Sequence, residues 1–458
     1  MAAVTRKATR IDLFSVATPQ MRAFHLTWMA FFVCFFAWFA VAPLMPVIKG
    51  VFGLSRDQIA NIGIASVGIT IFARLAIGPL CDRFGPRKTY VALLALGAIP
   101  VMGIAFATSY QAFLVFRLAI GAIGASFVIT QFHTSVMFAP NVVGTANATV
   151  GGWGNAGGGA TQTVMPLIVA ALASLGVEQA FGWRLAMVVP GLLMLVVAVL
   201  YWRYTQDAPE GNFSDLRARG IVIASGKPGA YGKAGGWAAF RQAMVNYRVW
   251  LLALAYAGSF GLELFIHAQA AIFFHDRYQL TLTGAGLAVG AFGGLALFAR
   301  ALGGIGSDRI ARRFGLGGRT VLLVTLLAGE GVMLLVFSGT AMAGQAIAAM
   351  MLFGLFTHMS CGAIYAVVPF VDRAALGGVA GIVGAGGNVG AVAAGFLFKY
   401  LGSVPQTLYV LGWCVLGCAV GAATIRFSPG HRAAERALLD AALAEREAMP
   451  PGGAAQAA

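Results

Sequence analysis

The chain of 458 residues is 59% hydrophobic and only 10% charged, with a formal net charge of +15 and a mean hydropathy of +0.82. A globular domain in water carries about 25% charged residues, so this composition excludes a soluble protein. It also excludes a disordered chain, which would combine low hydrophobicity with high charge. Five cysteines are too few for a disulfide-stapled scaffold, and none has the neighbours of a metal site. The composition predicts an integral membrane protein.

Twelve apolar segments follow one another, each about as long as the ~20 residues with which a helix crosses a bilayer. They cover residues 24–48, 59–81, 89–108, 112–138, 146–173, 183–204, 247–274, 284–306, 320–338, 343–370, 376–400 and 405–426. None alternates strictly between apolar and polar residues, which excludes a transmembrane β-barrel. The sequence therefore predicts an all-α membrane fold with twelve transmembrane helices.

The positive charges predict the orientation of these spans. With both termini in the cytoplasm, 23 of the 31 lysines and arginines lie on the cytoplasmic side and five lie outside. This distribution explains the net charge without nucleic acid, since no basic groove with interleaved aromatic residues is visible. We expect a multi-pass protein of the plasma membrane, the inner membrane if the source is bacterial.

Two features repeat between the first and second parts of the chain. Arg74 in span two and Arg300 in span eight each precede an Asp-Arg pair by eight residues, an offset of 226 between the copies. Asn155 in span five and Asn388 in span eleven each lie in a glycine-rich stretch, an offset of 233. Two repeats at nearly one offset predict two parallel six-helix halves. The predicted boundaries are an N-terminal segment 1–23, halves 24–204 and 247–426, a linker 205–246 and a tail 427–458.

The residues from Gly78 to Lys88 resemble the loop signature Gly-x-x-x-Asp-Arg-x-Gly-x-Arg-Lys of the major facilitator superfamily. The stretch 151–159 resembles the nitrate signature of the nitrate/nitrite porters (NarK/NasA-type) within that superfamily, and residues 256–264 and 273–276 resemble their assimilatory branch. The resemblance covers residues 24–426 and implies the facilitator fold with transport of nitrate or nitrite. The loop-motif residues, for which it implies a gating role, are Gly78, Asp82, Arg83 and Arg87, with Asp308 and Arg309 in the second copy.

Arg74 and Arg300 lie about eight residues inside their spans, at matching places in the two halves. A buried arginine is costly in a membrane unless it faces water or a partner. Neither span two nor span eight offers an acidic partner before its loop, so the pair is predicted to face the central pathway and bind an anion. The alternative is that each arginine pairs with a distant acid such as Glu263, or with backbone.

Nitrate suits two arginines because it is planar, and the guanidinium fork matches a planar oxyanion bidentately. Glycines in the two clusters, Gly154 and Gly387 among them, are expected to narrow the cavity by letting the halves approach closely. Asn155 and Asn388 are expected to donate either to the anion or to the opposing helix, and the sequence leaves both open. By resemblance, the planar ion would lie among Phe127, Tyr256 and Phe260.

Arg117, followed by Gly121 and Gly124, matches a facilitator motif in span four and is expected near the outer end, in packing or gating. Glu263 in span seven and Glu330 in span nine are the carboxylates within spans. Span nine is peripheral in facilitators, so Glu263 is the candidate proton carrier, with His267 beside it and His133 and His358 as further titratable groups.

The predicted function is secondary active transport of nitrate, or nitrite, by alternating access with proton-coupled uptake. The alternatives are nitrate/nitrite antiport, or a facilitator for another small or organic anion. No ATP-binding loop or hydrolase motif lies in the sequence, so an enzyme is not expected. The expected partners are the anion, protons and the lipid bilayer, with no cofactor, no metal and no nucleic acid, and the protein is expected to be a monomer.

Overall fold

The computed structural model describes residues 7–220, 237–280 and 282–448. Within these ranges the chain is helical, apart from turns and two isolated β-bridges. In the first part of the chain the α-helices are α1 (Pro19–Phe39), α2 (Met45–Phe52), α3 (Arg56–Phe84), α4 (Pro86–Gly103), α5 (Tyr110–Gly121), α6 (Ser126–Met137), α7 (Val143–Ser174), α8 (Gln179–Ala186) and α9 (Val188–Tyr204). The following helices are α10 (Phe213–Ala218), α11 (Trp237–Met244), α12 (Tyr247–Tyr278), α13 (Leu282–Gly294), α14 (Ala296–Ser338), α15 (Ala343–Val367), α16 (Leu376–Leu401), α17 (Val404–Ala423) and α18 (Pro429–Ala448).

Eleven of the helical segments in the described part of the chain are long and apolar enough to cross a membrane. One of them, Leu287–Ser338, has 52 residues, about twice what a bilayer needs. It contains predicted spans eight and nine, and the chain reverses at Gly315, whose φ of 60° and ψ of −149° are not helical. Glycine takes this conformation without a Cβ clash, so the helix can break at this one residue. Counted as two spans, this segment completes the twelve, and the predicted all-α membrane fold is confirmed.

The two halves meet along α3 with α16 and along α7 with α14 and α15. At the first of these contacts Gly78 and Gly377 lie back to back, and a Cβ on either would overlap the carbonyl oxygen of the other. Glycine in these places lets the helix backbones touch, as small residues do in membrane helix packing. The loop-motif glycine therefore has a packing role between the halves.

Two carboxylates join the halves at one end of the molecule, which we call the basic end because it carries the loops 83–88 and 309–319. Asp82 accepts hydrogen bonds from the backbone N–H groups of Gly377 and Gly378, both 3.2 Å long. Asp308 accepts from the backbone of Gly144 at 3.2 Å and from Thr145 at 2.6 Å. Each carboxylate thus lies at the first turn of a helix in the opposite half, where the helix dipole favours negative charge.

The other loop-motif residues hold the basic end together. Arg319 forms an ion pair with Asp308 at 2.7 Å, whereas Arg309 is exposed. The Arg87 guanidinium donates to the carbonyl of Trp202, and the carbonyl of Arg83 accepts from Arg217. These contacts lie beside the start of the predicted linker, residues 205–246.

Asp207, in that linker, accepts from the backbone N–H groups of Arg87 at 2.8 Å and Phe213 at 2.9 Å. Burial raises the pKa of Asp207, while these two hydrogen bonds oppose the rise. The absence of a side chain at Gly85 makes room for this carboxylate, because a Cβ there would lie 2.5 Å from it. The start of the linker is therefore fixed to the loop between α3 and α4.

Segments near the first and last described residues cover the basic end. The Ala8 and Phe138 backbones form a β-bridge, and Arg10 donates to the carbonyl of Arg446 in α18 at 2.8 Å. In α18, Glu435 forms an ion pair with Arg373 at 2.7 Å. The tail helix α18 thus packs one face against the transmembrane helices.

Replacing Asp308 with alanine removes the acceptor for two backbone N–H groups and leaves Arg319 without its carboxylate. We expect Asp308→Ala to shift the protein toward a conformation open at the basic end. Asp82→Ala should act in the same direction, since it breaks the matching contact. The measurement is the rate of thiol labelling at Ala366→Cys, buried beside Gly144, in a chain whose native cysteines are replaced by alanine. An unchanged rate would contradict a closing role for the two carboxylates.

Candidate anion site

Arg74 is fully buried on α3 with an unused donor. Its Nε donates to the carbonyl of Gly124 at 3.1 Å and its Nη1 to the carbonyl of Gly384 at 2.6 Å, so the guanidinium bridges the two halves. Nη2 has no hydrogen-bond partner, and no carboxylate lies within ion-pair distance in the described ranges. A buried cation with a free donor has the chemistry of an anion site.

Arg300 on α14 is different, because its Nη2 lies 2.5 Å from Glu263 Oε2 on α12. Both side chains are buried, at 2% and 1% exposure. The prediction that both arginines lack an acidic partner is therefore wrong for Arg300, and the alternative of a distant acid describes it. The acid was not visible in the local sequence because it lies on another span. Arg300 Nε still has no partner among the residues described.

Glu263 is shared by three helices besides its own. Asn155 Nδ2 on α7 donates to Oε1 at 2.6 Å, and His358 Nδ1 on α15 lies 3.5 Å from Oε2. Of the two possibilities for Asn155, it donates to the opposing half in this conformation. Its acceptor is a carboxylate, so this amide donates to an anionic group of the protein itself.

Three aromatic rings lie beside the arginines in nearly parallel planes. The ring centres of Phe127 and Tyr256 are 5.8 Å apart with an interplanar angle of 2°, and those of Tyr256 and Phe260 are 5.1 Å apart at 3°. Both cations lie near Phe260, with Arg74 Cζ 5.3 Å and Arg300 Cζ 5.7 Å from its ring centre. The structure thus brings together the three rings and both arginines, as the resemblance implies.

Tyr256 is fully buried, and its hydroxyl has no partner within the described chain. Tyr365 on α15, which the sequence analysis did not single out, packs edge-on against Phe127 at 4.7 Å and Tyr256 at 5.2 Å. No periodicity or charge marks that tyrosine, so only the packing of α15 against the site reveals it. Together with Arg74 Nη2, the Tyr256 hydroxyl is a buried donor available to a small anion.

Gly154 and Gly387 do not bring the two halves together directly, which is the role that the sequence analysis expects for them. A Cβ on Gly154 would overlap the ring of Phe31 in the same half, and a Cβ on Gly387 would lie 2.7 Å from Phe260 and 2.8 Å from Tyr256. Their missing side chains make room for aromatic rings of their own half. They shape the site by seating its rings rather than by narrowing the gap directly.

Of the remaining predicted residues, Asn388 is buried near α3, with Nδ2 3.5 Å from the carbonyl of Val67 and Oδ1 unpartnered among the described groups. His267 is exposed one turn beyond Glu263, toward the end opposite the basic end. Arg117 donates to the Trp38 carbonyl at 3.0 Å and to Ser66 Oγ at 2.8 Å. These contacts give Arg117 a packing role within the first half, away from the site.

Comparison with known proteins identifies this arrangement. The sequence profile of the Major Facilitator Superfamily matches residues 27–395. The chain is 38% identical over 425 residues to "High-affinity nitrate transporter 2.3" of Oryza sativa subsp. japonica, covering 92% of this chain and 80% of that protein. The chain belongs to the nitrate/nitrite porter family of the major facilitator superfamily. The predicted family is confirmed, and the protein is a membrane transporter rather than an enzyme.

Other relatives of this porter agree. "High affinity nitrate transporter 2.5" of Arabidopsis thaliana is 41% identical, with 86% of this chain and 76% of that protein covered. "Nitrate/nitrite transporter NrtP" of Nostoc punctiforme is 29% identical, with coverage of 89% and 92%. Among solved structures, the proton:xylose symporter XylE matches with a TM-score of 0.66 at 13% identity, covering 88% of this chain and 94% of that one. That likeness shows the facilitator fold.

Arg74→Lys tests whether the guanidinium fork is needed. Lysine keeps the charge but loses the planar donor set, and charge-assisted hydrogen bonds of this kind contribute about 1.5–3 kcal/mol. We expect uptake at low nitrate to fall by about tenfold or more, the equivalent of 1.4 kcal/mol, with normal membrane insertion. Arg300→Lys should behave likewise, and exposed Arg312→Lys is the matched control. Near-normal uptake of labelled nitrate by Arg74→Lys would rule out a requirement for the guanidinium group at this position.

Gly387→Leu tests the seating of the rings. The leucine side chain would displace Tyr256 and Phe260, so we expect nitrate uptake to be lost while the protein still inserts. Gly395→Leu on the same helix is the control, since a Cβ there meets nothing within 4 Å. Gly154→Leu should displace Phe31, a ring of the first half, and thereby lower nitrate uptake. Equal uptake by Gly387→Leu and Gly395→Leu would show that ring position does not matter.

Proposed function

We propose that this porter takes up nitrate, with nitrite as an alternative substrate, by proton-coupled alternating access. The observation that carries the proposal is the unused donor of Arg74, buried beside three parallel aromatic rings in a family whose members are named nitrate transporters. Nitrate is a small planar monoanion, so it matches both the guanidinium plane and the ring planes. The bound ion would accept hydrogen bonds from Arg74 Nη2 and the Tyr256 hydroxyl.

Arg300 can bind the anion only when its ion pair with Glu263 is broken. In the present conformation Arg300 is neutralised by Glu263 at 2.5 Å, so nitrate and the carboxylate compete for one cation. Protonation of Glu263 removes its charge and frees Arg300 for the anion. Binding of nitrate and binding of a proton therefore favour each other, which is the linkage that symport requires.

The membrane potential sets the stoichiometry that such uptake needs. Moving one anion alone into a cell with negative interior costs about 2.3 kcal/mol per 100 mV. One co-transported proton cancels this cost, and a second proton turns the potential into a driving force. Accumulation from low outside concentration thus favours more than one proton for each nitrate.

The contacts at the basic end support an alternating-access cycle. Asp82 and Asp308 close that end, and the charge distribution predicts that it faces the cytoplasm. Release of nitrate into the cell would require both carboxylates to leave the helix starts they cap. We place the porter in the plasma membrane as a monomer, with both termini in the cytoplasm and the halves at residues 24–204 and 247–426.

Glu263→Gln tests the coupling. Glutamine keeps an acceptor for Asn155 but cannot bind a proton at physiological pH, so net proton movement with nitrate should be lost. Nitrate–nitrate exchange should remain measurable, because Arg74 is unchanged. The measurement is external pH and labelled nitrate in proteoliposomes during a nitrate pulse.

The control for that measurement is Glu178→Gln, which changes an exposed carboxyl group outside the site. If Glu263→Gln moved protons with nitrate as the wild type does, Glu263 would not be the coupling residue. If the wild type itself showed no alkalinisation and required internal nitrite, the porter would be an antiporter.

A further inference from the structure

Glu330 is a buried carboxyl group that the mechanism above does not use. It lies on the second part of α14, which the sequence places at the periphery, yet its side chain points inward and is 0% exposed. Its Oε2 accepts a hydrogen bond from Ser259 Oγ on α12 at 2.7 Å. Its Oε1 has no hydrogen-bond partner in the described ranges, and no lysine, arginine or histidine there lies within ion-pair distance.

This environment favours the neutral acid. An ionised carboxylate without a cation is far more costly in a medium of low dielectric than the protonated form, which keeps its hydrogen bond. Arg300 neutralises Glu263, whereas nothing comparable neutralises Glu330. The two intramembrane acids therefore differ: one is ion-paired in this conformation, and the other holds a proton.

Glu263 and Glu330 share polar neighbours on α12 and α15. Ser259, the donor to Glu330, lies one helical turn before Glu263 on α12. On α15, the hydroxyl groups of Thr357 and Ser360 are further polar neighbours of Glu330, and His358 between them lies 3.5 Å from Glu263. Hydroxyl and imidazole groups both accept and donate hydrogen bonds, so these side chains have the chemistry of a proton relay. Ser360 Oγ and His358 Nδ1 have no hydrogen-bond partner among the described groups in this conformation, so both are free to form one with a neighbour.

The two carboxyl groups also interact electrostatically, because a negative charge on Glu263 disfavours a negative charge on Glu330. The titratable and charged groups that face this pair from the surrounding helices are His267 on α12, Arg300 on α14, His358 and Cys361 on α15, and Cys418 on α17. Only Arg300 among them is a fixed cation. When nitrate takes Arg300 from Glu263, the carboxylate loses its counterion and the local need for protons rises.

We propose that Glu330 is the second proton-binding carboxyl group of the transport cycle, exchanging its proton with Glu263 through Ser259, His358 and Ser360. This rests on the proposed function, in which Glu263 binds the first proton. Glu330 is a positioning and proton-holding residue that does not touch nitrate. Two protons carried with one monovalent anion give a net charge of +1, so the membrane potential would drive uptake.

The experiment compares wild type, Glu330→Gln and Glu263→Gln in proteoliposomes, measuring labelled nitrate, external pH and current during a nitrate pulse. The wild type should move about two protons per nitrate with inward positive current. Glu330→Gln should halve that ratio to about one and abolish the current, because one proton and one nitrate are electrically neutral. Nitrate–nitrate exchange by Glu330→Gln should stay near the wild-type rate.

An unchanged ratio and current in Glu330→Gln would overturn the second site, while leaving Glu263 as a coupling residue. A wild type that moves only one proton per nitrate would overturn it as well. Failure of the proposed function looks different, since the wild type would then move no proton with nitrate or transport no nitrate, or Glu263→Gln would keep full proton movement. If Glu330→Gln does not insert, Ser259→Ala decides: removing the donor should shift the pH of half-maximal uptake, and an unshifted pH profile would overturn the proposal.

Discussion

The Glu263 carboxylate is held between the two halves of the porter, and in the proposed function it occupies the place that the transported anion would take beside Arg300. Glu263 accepts from Asn155 of the first half and pairs with Arg300 of the second, so it satisfies the cation that the site would otherwise leave exposed. The contacts among α7, α12 and α14 at the site depend on this pair. The pair keeps a buried guanidinium neutralised without substrate, and it gives the substrate something to displace.

The same pair makes the site unequal on its two sides. Arg74 is held by backbone carbonyls alone and keeps a donor free, whereas Arg300 is already neutralised. In the proposed function, an entering anion is attracted more strongly to Arg74 than to the neutralised Arg300. The Phe260 ring lies beside both guanidinium groups, with Arg74 Cζ 5.3 Å and Arg300 Cζ 5.7 Å from its centre.

The sequence predicts the fold well because its signals are repeated and local. The span lengths and the basic loops depend on residues that are near one another in the chain. The repeat is visible because the same local pattern occurs twice, at Arg74 and at Arg300, with an offset of 226 residues. The contacts of the site depend on which helix faces which, and periodicity does not carry that information. The ring of Phe31 against Gly154 and the inward direction of Glu330 were therefore hidden. The Arg300–Glu263 pair was one of two alternatives, and the sequence could not decide between them.

Duplication of a six-helix unit need not give both copies the same task. The matching arginines, asparagines and glycine clusters are present in both halves, yet the intramembrane acids Glu263 and Glu330 both belong to the second. His267 and His358 lie beside them, while His133 of the first half is bonded to Tyr201 and to the carbonyl of Gln206, away from the site. The first half offers a fixed cation with a free donor, whereas in the proposed function the cation of the second half becomes available when Glu263 is protonated. Asn155 of the first half donates to Glu263 of the second, so rocking of one half against the other in the proposed cycle would change the surroundings of anion and proton together.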